Sequence, residues 1–147
     1  MRRTGENYRK EKISSEKTTV ENITEENYVQ EAKWVIEHIT RNGKDRKPAL
    51  TTSKIRSILA KLSDIYNQII NNTDEKLSEE INSQIEYLKV RIVYECGREK
   101  LVKEFEEKAD LLKNLEKIKG SRKNFILFYR YMEALVAYHR FQGGKDL

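Results

Sequence analysis

The chain has 147 residues, of which 37% are hydrophobic and 36% charged, with a net charge of +5 and a single cysteine. That length suits one domain with one core, and that polarity suits helices with thin apolar stripes and wide solvated faces. Cys96 alone excludes an internal disulfide or a thiolate zinc site and fits a reducing cytoplasm. No apolar run approaches the roughly 18 residues of a membrane span, and the polar stretch after Met1-Arg2-Arg3-Thr4 is not a signal peptide.

In chain order, residues 1–23 read as a flexible charged arm. Through residue 21 acids and bases alternate, with almost no large apolar side chains to offset the entropy of ordering. Residues 24–144 read as one all-α domain, a bundle of about five helices, and 145–147 as a short tail. The glycines and the one proline, apart from Gly5, punctuate helix ends at Gly43, Pro48, Gly97, Gly120, Gly143 and Gly144. A first helix is predicted from an N-cap at Thr24 to Gly43, with Ile23 stapled on Tyr28 and Ala32, Val35, Ile36 and Ile39 inward. Thr51 caps a second, through Ile55, Ile58, Leu59, Leu62, Ile65, Tyr66 and Ile69.

A third helix runs from about Glu75 to Cys96 on Leu77, Ile81, Ile85, Leu88 and Ile92. Its β-branched end, Val90 to Tyr94, reads as helix because the 3.6-residue stripe continues through it. Gly97 is expected to kink or interrupt the chain before a fourth helix to about Lys119, packed through Leu101, Phe105, Ala109, Leu112 and Leu115. Ser121 caps a fifth, closed by Gly143-Gly144. That last helix has two apolar stripes: Phe125, Phe128, Tyr129, Met132, Leu135, Val136 and His139 on one side, and Leu127, Tyr131, Ala134 and Tyr138 nearly opposite. Such a helix is central in its bundle or covers a partner.

Charge is segregated. It sums to −1 over residues 1–40, +6 over 41–61, −4 over 62–118 and +4 over 119–147. A field concentrated in this way attracts a polyanion. On the second helix Lys54, Ser57 and Lys61 share one side, with Arg56 on the other flank and Lys44, Arg46 and Lys47 in the preceding loop. These groups either follow a phosphate backbone or form a solvated face with a basic turn. On the third helix Tyr87, Arg91, Tyr94 and Arg98 recur at spacings of four, three and four. Such a stripe can stack unpaired bases and hold phosphate; Arg91 and Arg98 read as contacts, and the tyrosines as packing over the core edge. Lys123 and Arg130 border the second stripe of the last helix, with Arg122 and Arg140 on another flank. Trp34 points off its own stripe and reads as half-covered by a neighbour, or as a subunit contact.

No catalytic constellation accompanies these charges. His38 and His139 are a hundred residues apart, and His139 lies on an apolar stripe, where it reads as a hydrogen-bonded core residue. Paired metal ligands and a phosphate-binding glycine loop are missing, so no metal and no cofactor are expected.

Three stretches go beyond a generic bundle: Leu50-Thr51-Thr52-Ser53-Lys54-Ile55-Arg56, Leu88-Lys89-Val90-Arg91-Ile92-Val93-Tyr94-Glu95, and the run from Phe128 to His139, Phe-Tyr-Arg-Tyr-Met-Glu-Ala-Leu-Val-Ala-Tyr-His. In order and spacing, over about residues 24–144, they resemble the small subunit of type III-A CRISPR effectors, the Csm ribonucleoprotein complex. The resemblance implies a non-enzymatic helical protein that stacks in several copies against the repeated backbone subunits. It would lie near the large polymerase-like subunit and position single-stranded target RNA beside the guide RNA for defence against viruses and plasmids. Carried over by position, Lys54, Arg56, Arg91, Arg98 and Arg130 would contact RNA, with Lys61, Arg122 and Lys123 beside them. The competing expectation is an assembly scaffold, joined through Leu127, Tyr131, Tyr138 and Trp34, whose basic surface meets acidic protein. Neither reading involves a membrane.

Overall fold

The computed structural model describes residues 16–145. Among them are six helices: α1 (Tyr28–His38), α2 (Thr52–Ile69), α3 (Glu79–Arg98), α4 (Lys100–Ala109), α5 (Leu111–Glu116) and α6 (Arg122–Phe141). The all-α bundle expected from the apolar periodicity is what forms. The β-type pairing among the described residues is two isolated bridges, Arg41 with Pro48 and Lys76 with Ser121.

The helix α6 is central and packs on both α1 and α2. Its first stripe supplies Phe125, Phe128, Met132, Leu135 and His139 to the core, against Ala32, Val35 and Ile36 of α1 and Ile55 and Leu62 of α2. The second stripe does not wait for a partner. Tyr131 has no exposed surface, and its hydroxyl donates to the Ala109 carbonyl at 2.9 Å, so the expectation that Tyr131 faces another subunit is overturned. Ser63 and Tyr129 hydroxyls lie 3.2 Å apart, and the Tyr66 and Tyr129 rings stack at 4.6 Å, fastening α2 to α6.

Several boundaries differ from expectation, each for a local reason. Thr24 and Asn27 exchange side-chain-to-amide bonds, so 24–27 forms a turn and α1 starts at Tyr28. That helix ends at His38, well before Gly43, because Thr40 turns away to bond the Glu104 carboxylate through both its amide and its hydroxyl. Gly97 stays helical, and the break falls at Glu99, which is extended and caps α4 with its carbonyl. The expected fourth helix is divided at Asp110, a left-handed residue (φ 54°) of a type whose short polar side chain tolerates that region.

The part of the expected arm within the described residues is packed on the body. The Val20 amide donates to the Lys108 carbonyl, Val20 and Ile23 are buried, and Lys17 holds the buried Glu31 carboxylate at 2.7 Å. Residues 1–15 of that arm lie outside the described residues.

The end of the chain fixes the start of α2. The imidazole of His139 is buried, with Nε2 donating to the Leu50 carbonyl at 2.6 Å and Nδ1 accepting from the Thr52 hydroxyl at 3.3 Å. The Thr52 amide, orphaned at a helix start, donates to the Lys145 carbonyl at 2.6 Å. Burial first, and then the Arg140 and Arg41 guanidinium groups, hold this imidazole below its ordinary titration range; the Leu50 carbonyl acts against them.

Two predictions follow from this latch. Below about pH 6.5 the unfolded imidazole takes up a proton that the folded one refuses, so stability present at neutral pH is lost as the pH falls. Urea midpoints measured from pH 7.5 to 5 should therefore decline, and His139→Gln should have a lower midpoint at pH 7.5 but a flatter profile. Parallel profiles would contradict the assignment. In the second, a Cβ on Gly144 would fall inside the His139 ring, so Gly144→Ala should destabilise by about 1–3 kcal/mol. Gly97→Ala, helical and with open space around it, should instead stabilise by up to about 1 kcal/mol.

Candidate nucleic-acid interface

The helices α2 and α3 pair through Ile58 and Ile65 on one and Leu88 and Ile92 on the other, with Gln68 and Gln84 exchanging amide bonds of 2.9 Å across them. Residues flanking those apolar positions on the two helices therefore face one another over a shared groove. Its walls carry Lys54, Ser57 and Lys61 from α2, and Arg91, Glu95 and Arg98 from α3. Lys61 and Arg91 also border an adjoining hollow that reaches Gln84 and Tyr87. Within each helix the two cations are seven residues apart, or about 10.5 Å at 1.5 Å per residue.

The groove is positive but partly counterbalanced. Lys54 pairs with Glu99 at 3.5 Å, and Arg98 with Glu95 at 3.3 Å. Both pairs are solvent-accessible, so each contributes at most about 1 kcal/mol and exchanges readily for a better anion. Lys61 and Arg91, lying between them, make no ion pair among the described residues.

A larger hollow of about 780 Å³ lies elsewhere, where the start of α6 meets residues 73–75 and the start of α1. It holds Arg122, Lys123 and Arg130, but Glu25, Asp74 and Glu75 line it too. Three cations against three carboxylates leave little net attraction for a polyanion beyond the Debye length of about 8 Å. The groove, with four cations against Glu95 on its wall and Glu99 paired to Lys54, keeps a net positive charge that the larger hollow lacks. Among the described residues no group of His, Cys, Asp or Glu is placed to hold a metal ion, and no helix is long and apolar enough to cross a membrane.

Comparison with known proteins decides the family. The model described as Csm2 Type III-A matches residues 29–145. The chain is 42% identical over 124 residues to the CRISPR system Cms protein Csm2 of Streptococcus thermophilus, covering 84% of this chain and 98% of that protein. It is 43% identical over 99 residues to the protein of the same name from Enterococcus italicus, covering 66% and 71%, and 35% identical over 126 residues to that of Mycobacterium tuberculosis, covering 84% and 98%.

The chain belongs to the Csm2 family.

This is the Csm small subunit that the three sequence stretches resembled. The Csm2 match runs from the start of α1 to Lys145, whose carbonyl caps α2, and so takes in the groove and the larger hollow alike. Of the eight cations placed at or beside the expected RNA contact, Lys54, Lys61, Arg91 and Arg98 come together in the groove. Arg122, Lys123 and Arg130 share the mixed-charge hollow, and Arg56 is exposed on α2 without lining either. The expected surface common to all of them is thus two separate clusters plus Arg56.

Trp34 is half-covered, stacked on His38 at 4.7 Å with the Lys17 and Lys108 ammonium groups 4.7 and 5.9 Å from its ring. Leu127 and Tyr138 are half-buried on α6. Reading the tyrosines of α3 as packing was wrong: Tyr87 is 60% exposed and Tyr94 58%, beside Val90 and Val93, which are also exposed. Helical angle carried the signal, since at about 100° per residue the rings of Tyr87 and Tyr94 lie roughly 130° and 150° from the stripe of Ile81, Ile85, Leu88 and Ile92. The carboxylates Glu95 and Glu99, which temper the groove, stand outside the cationic spacing that the sequence displays.

Proposed function

We propose that this chain is a non-catalytic, RNA-binding small subunit of a type III-A CRISPR ribonucleoprotein effector. Copies of it would stack along the guide and target RNA, against the repeated backbone subunits, and hold the target strand in position for defence against viruses and plasmids. Family membership supports the assembly. The groove between α2 and α3 supports the ligand, because Lys54, Lys61, Arg91 and Arg98 concentrate positive charge there and two of them make no ion pair among the described residues. The groove floor of Ile58, Leu88 and Ile92 offers no hydrogen bond to a base edge. Sequence would be read by guide pairing while this subunit supplies charge and shape.

A scaffold reading has one observation of its own, the exposed pair Val90 and Val93, which are more typical of a protein contact. In that case the groove's cations would meet acidic protein, and Leu127, Tyr138 and Trp34 would add interface area.

Salt dependence separates the two. Each phosphate neutralised on a single strand contributes a slope of about −0.7 in log K against log salt, so Lys61→Ala/Arg91→Ala should flatten the slope for RNA by about 1.4. Replacing Arg122, Lys123 and Arg130 by alanine should change it less. Glu95→Gln/Glu99→Gln should tighten binding by freeing Arg98 and Lys54. An unchanged slope in the Lys61/Arg91 variant, with helical circular dichroism intact, would leave the scaffold standing.

A further inference from the structure

Tyr87 and Tyr94 lie on one line of α3, seven residues apart, with Arg91 between them and Arg98 one turn beyond. Both rings are largely in water, whereas the helix's aliphatic stripe is buried, so they are not part of the core. They are continuous with the cationic groove. Tyr87 shares the adjoining hollow with Arg91 and Lys61, and the Arg98 guanidinium sits 5.7 Å from the Tyr94 ring centroid.

We propose that Tyr87 and Tyr94 stack the nucleobases of an unpaired strand whose phosphates run in the α2–α3 groove, so that the site selects single-stranded over double-stranded RNA. This rests on the nucleic-acid reading of the groove and adds the part of the ligand that a cation cannot recognise. Charge alone attracts any polyanion, paired or not. A ring at the groove's edge adds affinity only when a base presents its face, and in a duplex both faces are already covered by neighbouring pairs. The spacing suits this. Seven residues rise about 10.5 Å, about three steps of 3.4 Å along a strand, which leaves room for two bases between the rings. Arg91, three to four residues from either ring, is placed to hold the linking phosphate, and Arg98 already lies near the Tyr94 ring as a planar cation can.

Three probes of equal length test this with the full chain: a single-stranded RNA, an abasic strand with the same phosphates, and the RNA duplex. Stacking should make the single strand bind about tenfold or more tightly than the abasic strand at the same salt. Tyr87→Ser/Tyr94→Ser should abolish that difference while leaving abasic affinity unchanged, and Tyr87→Phe/Tyr94→Phe should restore it. Lys61→Ala/Arg91→Ala should weaken binding of all three probes.

Equal wild-type affinity for single and abasic strands, with the Lys61/Arg91 variant weakening both, would overturn stacking and leave the groove reading intact. No effect of the Lys61/Arg91 variant on any probe would overturn both. Loss of self-association in the serine variant, with nucleic-acid affinities unchanged, would overturn the proposal in favour of a protein contact at these rings.

Discussion

The antiparallel packing of α2 on α3 is the constraint from which the site follows. Ile58 and Ile65 must meet Leu88 and Ile92 to leave water, and truncating any one of them to alanine would cost about 2–5 kcal/mol. Once that seam is fixed, a helix has no further freedom over where its flanking residues point. Lys54 and Lys61 are carried to one wall and Arg91 and Arg98 to the other. The cations are held against their own repulsion by hydrophobic burial underneath them, with modest help from Glu95 and Glu99. Charge thus sits where the core puts it, and the core is indifferent to charge.

The rest of the bundle secures that seam from a distance. At one end of α2, His139 bonds the Leu50 carbonyl and the Thr52 hydroxyl while the Lys145 carbonyl takes the Thr52 amide that a helix start leaves open, so the turn bearing Lys54 is tied to the central helix. Further along, the Tyr66–Tyr129 stack and the Ser63–Tyr129 contact attach α2 to α6 again. An imidazole kept neutral by burial suits this role, because a charged ring there would be desolvated beside the Arg140 and Arg41 guanidinium groups.

Much of the fold was legible because its signals are local and repeated. The apolar stripes of α2, α3 and α6 were read nearly residue for residue, and Ser121 caps α6 through the Asn124 amide as its position before Arg122 implies. What was missed depends on tertiary alternatives. Gly97 looked like a break, yet glycine only weakens a helix, and the chain turned at Glu99, where no sequence signal stands. Asp110 divides a continuous apolar pattern by a backbone state that periodicity does not encode. Val20 and Ile23 are too few to suggest a packed segment until α4 is seen beside Val20, and α5 and α6 beside Ile23. In the site, the four groove cations were readable as helix flanks, but the two-cluster arrangement was not. Whether Arg130 lies near Lys54 is a question of how α6 crosses α2, which the spacing within either helix leaves open. Tyr87 and Tyr94 were misjudged because large rings usually pack; their angle on the helix argued otherwise.

The central claim is spatial, and photocrosslinking tests it where it stands. A single-stranded RNA bound to the full chain and irradiated should leave nucleotide adducts on peptides from α2 around Lys54 to Lys61 and from α3 around Tyr87 to Arg98, as read by mass spectrometry. Adducts confined to the segment from Arg122 to Arg130, with α2 and α3 unmodified, would contradict the account.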